Sequence, residues 1–158
     1  MPPPVVLEVS DGVGRKRTLT RLIGMRLRLL ALWREVTGGH TESLILMAVI
    51  AITGDRLVRQ EVSPELRDMS NPVPRALLGK CTISGIAEAT GLNRETARRA
   101  IGRLIQRGVL ERCADGSIHF TPGRMQSDNA RRISRMQLEE FTRTANALLR
   151  EGVLRLDP

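Results

Sequence analysis

Residues 82 to 108 read TISGIAEATGLNRETARRAIGRLIQRG, and this stretch decides the fold because it predicts two short helices joined by a tight turn. Gly91 is free to adopt the left-handed backbone that ends the first helix, and the side chain of Asn93 is suited to cap the second. Small and aliphatic residues of the second helix recur every three or four positions on one face, namely Ala97, Ala100, Ile101 and Leu104. This face packs on the first helix, so the opposite face stays exposed.

The exposed face of the second helix is rich in arginine. It carries Glu95, Arg99 and Arg103, while Arg94 and Arg98 lie one helical turn apart near the helix start. Because Ala97 is small, the helix packs closely on its neighbour and leaves these side chains free. A helix exposed in this way is suited to enter the major groove of DNA.

The segment after Gly108 predicts a β-hairpin. Val109 to Ala114 leads into Asp115-Gly116, a strong two-residue turn signal, and Ser117 to Thr121 forms the return strand. With Cys81 to Ile83 as a third strand, the order of elements matches a winged helix-turn-helix domain, in which the hairpin is the wing.

The return strand of the hairpin has two predicted faces. Ile118 and Phe120 are expected to cover the core, because residues two apart in a strand share a face. The polar residues of the other face are expected to meet solvent or phosphate: Ser117, His119 and Thr121. Ser117, next to the wing tip, is therefore a second candidate DNA contact.

The helix-turn-helix segment, residues 82 to 108, resembles known regulators. Residues 93 to 101, followed by Leu104 and by residues 108 to 110, resemble the DNA-binding segment of GntR-type repressors. In that family two arginines and a threonine contact DNA, and the resemblance implies the same of a small set: Arg94, Thr96, Arg98 and the wing tip at Gly116. The helices that flank the module resemble the MarR type in layout. The resemblance covers roughly a third of the chain and is specific to winged helices.

The charge of the chain favours a polyanionic partner. The formal net charge is +8, and the isoelectric point is about 11.2. Basic side chains that neutralise phosphates release condensed counterions, so nucleic acid is the first candidate. Of the 25 basic residues only Lys16 and Lys80 are lysines, so a biased nucleotide composition is an alternative source of the arginines. The arginines of the second helix have another alternative interpretation, in which they form a basic surface that contacts only solvent.

The segments before and after the predicted winged helix-turn-helix domain predict long helices. Residues 1–14 are expected to be a flexible tail, residues 15–40 an N-terminal helix, and residues 124–158 a C-terminal helix. Apolar residues at heptad-like spacing in the first helix either pack on their own domain or pair with a second copy. The predicted dimerisation residues of both helices are Leu22, Met25, Leu29, Leu32, Phe141 and Leu148.

The predicted winged helix DNA-binding domain covers residues 41–123. Thr41 is a candidate cap for a helix whose stretch from Leu44 to Ile52 is continuously apolar. That stretch is about half as long as a membrane span requires, so we expect a buried helix and no membrane partner. The prolines of loop 63–80 predict a long irregular connection, which is either functional or an insertion without a role.

Catalytic and metal chemistry have little support in the sequence. Cys81 and Cys113 lack metal-ligand spacing, and His40 and His119 are too few to complete a zinc site. We therefore expect no enzyme, no metal and no cofactor. Reduced cysteines fit the cytoplasm, with a redox-sensing pair as the alternative.

Together these patterns predict a mainly α protein in which a winged helix-turn-helix domain is flanked by N- and C-terminal helices. The predicted function is a sequence-specific, duplex-DNA-binding transcriptional regulator, a repressor that acts as a homodimer, with a small-molecule effector left open. A replication or partition protein, or a scaffold that binds an acidic protein, is the alternative. The predicted DNA-binding residues are Asn93, Arg94, Glu95, Thr96, Arg98, Arg99, Arg103, Gly116 and Ser117.

Overall fold

The computed structural model describes residues 6–10 and 15–157. Within them the chain is mainly helical, with five α-helices and two small antiparallel sheets, which confirms the prediction of a mainly α protein. In chain order the elements are β1 (Val6–Val9), α1 (Lys16–Thr37), α2 (His40–Arg59), α3 (Ile83–Thr90), α4 (Arg94–Gln106), β2 (Leu110–Arg112), β3 (Ile118–Phe120), α5 (Asp128–Arg150) and β4 (Leu154–Asp157).

The chain divides into two compact units. The central unit is residues 33–132. The terminal unit combines both ends of the chain, and its described residues are 6–10, 15–32 and 133–157. The central unit holds α2, α3, α4 and the β2–β3 hairpin, whereas the terminal unit holds most of α1 and α5 and the β1–β4 ribbon.

The core of the central unit lies where α2, α3 and α4 pack together. Ile45 and Val49 of α2 and Ile86 of α3 are completely buried. So are the residues that the helical spacing of α4 predicted to be buried, namely Ala97, Ala100, Ile101 and Leu104. The opposite face of α4 is therefore left to solvent, as the sequence predicted.

The turn between α3 and α4 follows the predicted chemistry. Gly91 has a φ of +69° and ends α3, and the backbone N–H of Glu95 donates to the side chain of Asn93 over 2.9 Å. Thr82 caps α3 by accepting a hydrogen bond from the backbone N–H of Gly85 over 3.1 Å. The predicted third strand at Cys81 to Ile83 is therefore wrong, because this segment starts a helix; a single backbone hydrogen bond links it to Ile118.

The β2–β3 hairpin has a longer loop than predicted. The backbone N–H of Gly116 donates to Cys113 over 2.9 Å, and that of Cys113 donates to Ser117 over 2.8 Å. These bonds close a three-residue loop in which Gly116 has a φ of +81°, a conformation that glycine adopts without strain. The predicted two-residue turn at Asp115-Gly116 is thus one residue too short.

The faces of β3 also differ from the expectation. His119 and Ser117 are buried, while Phe120 is only half-buried. The reason is that loop 63–80, the connection before α3, crosses this hairpin. Its Arg75 binds the carboxylate of Glu111 and donates to the Cys113 sulfur. Ile118 is completely buried, as predicted, but the cover supplied by another part of the chain also buries His119 on the opposite face.

The connection itself is irregular, as its prolines predicted, and contains two short 3₁₀ turns, Pro64–Arg67 and Arg75–Leu77. It returns to α2 at Gly79, whose N–H donates to the Thr53 carbonyl over 2.8 Å. A Cβ at Gly79 would collide with the carbonyl oxygen of Ile52, so the close approach requires glycine here.

The terminal unit contains a strand that the sequence did not predict. In the segment expected to be a tail, residues 1–14, Val6–Val9 pairs antiparallel with β4, so the expectation is wrong there. Residues 1–5 and 11–14 lie outside the described residues. Glu8 and Arg155 are opposite each other in the ribbon and form an ion pair at 2.8 Å.

The first long helix is close to the predicted residues 15–40, since α1 spans Lys16–Thr37. The C-terminal helix predicted over residues 124–158 is wrong at its end: α5 spans Asp128–Arg150, and Leu154–Asp157 forms β4 through its pairing with β1. The expected cap at Thr41 is wrong, because α2 already begins at His40 and Gly39 occupies the cap position without a side-chain hydrogen bond. None of the described helices is long and apolar enough to cross a membrane.

Candidate nucleic-acid interface

The exposed face of α4 is the surface on which most predicted contacts meet. Because Ala97 and Ile101 are buried on one side, the opposite side presents Glu95, Arg98 and Arg99. The Arg99 side chain is 70% exposed and that of Arg98 is 58% exposed. The structure therefore brings these predicted residues together on one accessible face.

Glu95 organises two of the arginines. Arg98 donates two hydrogen bonds of 2.7 Å to its carboxylate, and Arg99 Nε donates one of 2.8 Å. These hydrogen bonds lower the pKa of Glu95 to about 2, so its carboxylate is charged at neutral pH. The carboxylate restricts the rotamers of both guanidinium groups and offsets part of their charge.

Arg94 differs from its neighbours because it forms no ion pair among the described residues. It is exposed at the first position of α4, next to the cap residue Asn93 and two residues before the exposed Thr96. Asn93 uses its side-chain oxygen to cap the helix. The structure thus gives Asn93 a positioning role and leaves Arg94 and Thr96 accessible.

Arg103 lies farther along α4 and is held by another helix. Its guanidinium donates hydrogen bonds of 2.9 and 2.7 Å to Glu42 of α2. Burial raises the pKa of Glu42, but the hydrogen bond from Arg103 and the nearby arginine charges outweigh it and keep the pKa below its ordinary value. This ion pair joins α4 to α2. Because the Arg103 side chain is still 54% exposed, it also borders the exposed face of α4.

At the hairpin tip, the predicted contact residues Gly116 and Ser117 offer backbone atoms more than side chains to a partner. Gly116 is exposed, whereas Ser117 is buried and its hydroxyl donates to Asp115 over 2.6 Å. Hydrogen bonds from the Ser117 hydroxyl and backbone lower the pKa of Asp115, and Lys80 lies 3.9 Å from that carboxylate. Lys80 was not among the predicted contacts because the sequence gives no sign that it lies beside the tip.

Gly102 was also missed by the sequence analysis. It follows Arg98 and Arg99 by four and three residues, so it shares their face of α4. A Cβ at Gly102 would meet nothing within 4 Å, so the fold itself does not require glycine there. A glycine inside a helix among exposed arginines is the signal that could have identified it.

The cysteines are free thiols in different surroundings. Burial raises the pKa of the Cys81 thiol to about 11, which disfavours the reactive thiolate. Cys113 is half-buried and accepts a hydrogen bond from Arg75 over 2.9 Å. Among the described residues no group of three or more histidine, cysteine or acidic side chains is placed to hold a metal ion.

The predicted dimerisation residues are distributed between the interior and the surface. Leu32 and Leu148 are buried, whereas Phe141 is exposed. The other three are half-buried: Leu22, Met25 and Leu29. The exposed apolar residues of α1 form a different stripe with a spacing of four, namely Leu19, Ile23 and Leu27.

Comparisons with protein-family models, with curated proteins and with solved structures found no match to this chain.

Proposed function

We propose that the central unit is a winged helix-turn-helix domain that binds duplex DNA, and that the protein is a cytoplasmic, sequence-specific transcriptional regulator. Helix α4 is then the recognition helix, and the β2–β3 hairpin is the wing. The observation that carries the proposal is the arrangement of α4, which is fully buried along Ala97 and Ile101 and exposes arginines on its other side. Occupying an operator would make the protein a repressor.

The hydrogen bonds of Glu95 support a role of this face in recognition. Arg99 uses only its Nε for Glu95, and within the described part of the chain its terminal nitrogens remain available to DNA. Arginine presents a planar fork of donors that matches the guanine edge in the major groove. A side chain whose rotamer is already restricted loses less conformational entropy when it binds.

Gly102 lies on the same face of α4 as Arg98 and Arg99, and a substitution there separates stability from binding. We expect Gly102→Ala to raise the free energy of unfolding by up to about 1 kcal/mol, because alanine has the higher helix propensity. The same methyl group should weaken DNA binding by about tenfold if α4 packs tightly against the bases. Chemical denaturation and fluorescence anisotropy with labelled duplex measure the two effects.

Gly54→Ala is the matched control for that experiment. Gly54 also lies inside a helix, and a Cβ at this position would likewise meet nothing within 4 Å, but it belongs to α2. The substitution should stabilise the fold to a similar extent and leave DNA affinity unchanged. Equal DNA affinity of Gly102→Ala and the unaltered protein would show that α4 does not approach DNA closely at this point.

The proposed regulator is a homodimer joined through the terminal unit. Apart from Val58, the exposed large apolar residues of the described chain lie in that unit. On the ribbon, Leu7 faces Leu156 across the strands, and both are exposed on the same side. An exposed apolar surface of this kind favours association with another apolar surface, and a second copy supplies an identical one.

Replacing two residues of the exposed α1 stripe tests the dimer. We expect Leu19→Glu together with Leu27→Glu to convert a dimer into a monomer, because two charges would be buried without partners. Sedimentation velocity at micromolar concentration measures the change. Ala89→Glu, an exposed position of α3, is the control that should remain dimeric. A monomer in the unaltered protein, both free and bound to DNA, would contradict the dimer.

A further inference from the structure

A half-open pocket of about 750 Å³ lies in the central unit. Its walls are the C-terminal half of α2, loop 63–80, and β3 with the residues that follow it. Half-buried aliphatic and sulfur-containing side chains dominate the lining, among them Leu57, Val62, Leu66, Met69, Val73 and Met125. The volume is within the range of pockets that bind small molecules, which are usually apolar with a few polar groups.

The pocket holds apolar surface that the fold leaves uncovered. Of the large apolar side chains described in the central unit, only Val58 is exposed, at 87%, and it lines this pocket. The half-buried side chains around it add further apolar surface in the same place. A concentration of exposed apolar surface is typical of a site that binds an apolar group.

The wall formed by α2 is long and has an open centre. It runs from Ile50 to Val58, so it extends over about 12 Å along the helix axis at about 1.5 Å per residue. Gly54 lies in the middle of this wall, and a Cβ there would meet nothing within 4 Å. An extended chain of about eight carbon atoms with its headgroup has a similar length, because C–C bonds measure about 1.5 Å.

The wall formed by loop 63–80 is held in place by its own hydrogen bonds. Asn71 donates from its side chain to the Glu65 carbonyl over 2.8 Å. Gly79 fastens the end of the loop to α2. The wall is therefore a folded part of the unit, which favours a functional role over an insertion without one.

Several polar side chains of the lining already use their donors within the protein. The hydroxyl groups of Thr53 and Thr121 donate to backbone carbonyls over 2.6 and 2.9 Å, and Arg75 is bonded to Glu111 of the hairpin. A ligand must therefore find its polar partner elsewhere in the lining.

Arg67 is the cation of the lining that the fold leaves free. It is exposed, and no other described residue pairs with its guanidinium group. The neighbouring Asp68 carboxylate accepts a hydrogen bond from the Ser70 N–H over 2.7 Å, which lowers its pKa, and the charge of Arg131 lowers this pKa further. Because Asp68 has these other partners, Arg67 offers an unpaired positive charge beside the apolar walls.

We propose that this pocket binds an unbranched aliphatic carboxylate, whose chain lies along α2 and whose carboxylate pairs with Arg67. The guanidinium group presents a fork of donors that matches a carboxylate. Leucine and methionine side chains adapt readily to a flexible chain. The inference goes beyond the proposed function, because the binding needs no DNA and is measured without it.

Probes with one chain and three headgroups test the charge. Octanoate, octanol and octyltrimethylammonium should be titrated into the full chain by isothermal titration calorimetry at neutral pH. We expect octanoate to bind about fivefold more tightly than octanol, as a solvent-exposed ion pair provides, and octyltrimethylammonium to bind more weakly than octanol. Equal affinities of the three probes, or no binding of octanoate at millimolar concentration, would overturn the proposal.

The length of the probe tests the apolar walls. The affinity should rise from hexanoate to octanoate by up to about fourfold per added methylene, because each buried methylene contributes to binding. An affinity that does not depend on chain length would show that only the charge of the protein attracts these anions, and would overturn the proposal.

Gly54→Leu places a side chain inside the pocket. The variant should fold, because leucine has a higher helix propensity than glycine, and it should lose at least tenfold in octanoate affinity. Gly102→Leu is the matched control on α4, since a Cβ there also meets nothing within 4 Å, and it should bind octanoate normally. Unchanged octanoate affinity in Gly54→Leu would place the binding elsewhere and overturn the proposal.

Arg67→Gln tests the ion pair and keeps the proposal falsifiable if Gly54→Leu does not fold. It should reduce octanoate affinity to that of octanol and leave octanol affinity unchanged. Arg112→Gln, at an exposed arginine outside the pocket, should preserve the preference for octanoate. Thermal unfolding followed by circular dichroism verifies the fold of each variant. An equal loss of octanoate affinity in both arginine variants would reveal attraction by net charge alone and contradict the assigned site.

Discussion

Genomic fragments selected by this protein should bind it roughly a thousandfold more tightly than random duplex of equal length at physiological salt. Base-edge contacts from α4 act only on the correct sequence, whereas phosphate contacts act on every duplex. The logarithm of affinity should fall linearly with the logarithm of salt concentration for both, by about 0.9 per phosphate contacted. Anisotropy titrations over a salt series measure the two slopes and the gap between them.

The comparison with random duplex also separates the alternative functions. If selected and random DNA bind equally at every salt concentration, the chain is a general nucleic-acid binder. If neither binds, the alternative in which the basic surface binds an acidic protein is favoured. A preferred site near the chain's own promoter supports transcriptional control, and one at a replication origin supports replication or partition. A homodimer further predicts an inverted repeat whose half-sites lie about 34 Å apart.

Much of α3 and α4 could be predicted from the sequence because local interactions determine these elements. The cap at Asn93 and the left-handed Gly91 depend on residues only a few positions away. The buried positions of α4, such as Ala97 and Ile101, follow from a period that the sequence displays directly. Local periodicity was likewise sufficient to locate the long helices α1 and α5.

The missed features depend on parts of the chain that are distant in sequence. Strand β1 becomes a strand through pairing with β4 at the other end of the chain, so its short apolar run was ambiguous alone. His119 is buried because the connection covers β3, which alternation within the strand cannot reveal. Thr82 lay in a β-prone run, and its capping role depended on the exact start of α3.

The candidate interface shows the same division between local and distant effects. The sequence placed the arginines of α4 on one face, and helical spacing was sufficient for that. It did not reveal that Arg103 is anchored by Glu42, a residue of another helix. The interface therefore has less free positive charge than the sequence suggests, and Arg94 is its least compensated α4 cation among the described residues.

Alanine substitutions at Arg94 and Arg98 should each weaken binding to a selected DNA fragment. We expect a loss of about 1 to 3 kcal/mol for an arginine that contacts a base edge, concentrated at one base pair of the site. An arginine that contacts phosphate should weaken all duplexes alike and reduce the salt slope by about 1. Anisotropy titrations with single-base variants of the selected fragment distinguish the two contacts.

Arg59→Ala is the matched control for these substitutions. Arg59 is exposed on α2 and pairs with Asp55 one helical turn away, as Arg99 pairs with Glu95 on α4. Exposed pairs of this kind contribute little to stability, so the control should retain both fold and DNA affinity. Unchanged affinity in both the Arg94 and Arg98 variants, with the fold intact, would exclude α4 as the recognition helix.

The contribution of Arg98 must be separated from that of Glu95, because its removal leaves the Glu95 carboxylate less compensated on the same face. Arg98→Ala therefore combines a lost contact with added repulsion of the DNA phosphates. The double variant Arg98→Ala with Glu95→Gln removes the repulsion and should recover part of the affinity for random duplex. It should not recover the preference for the selected sequence, because only the guanidinium group reads a base edge. Full recovery of that preference would show that Arg98 serves to neutralise Glu95 and makes no specific contact.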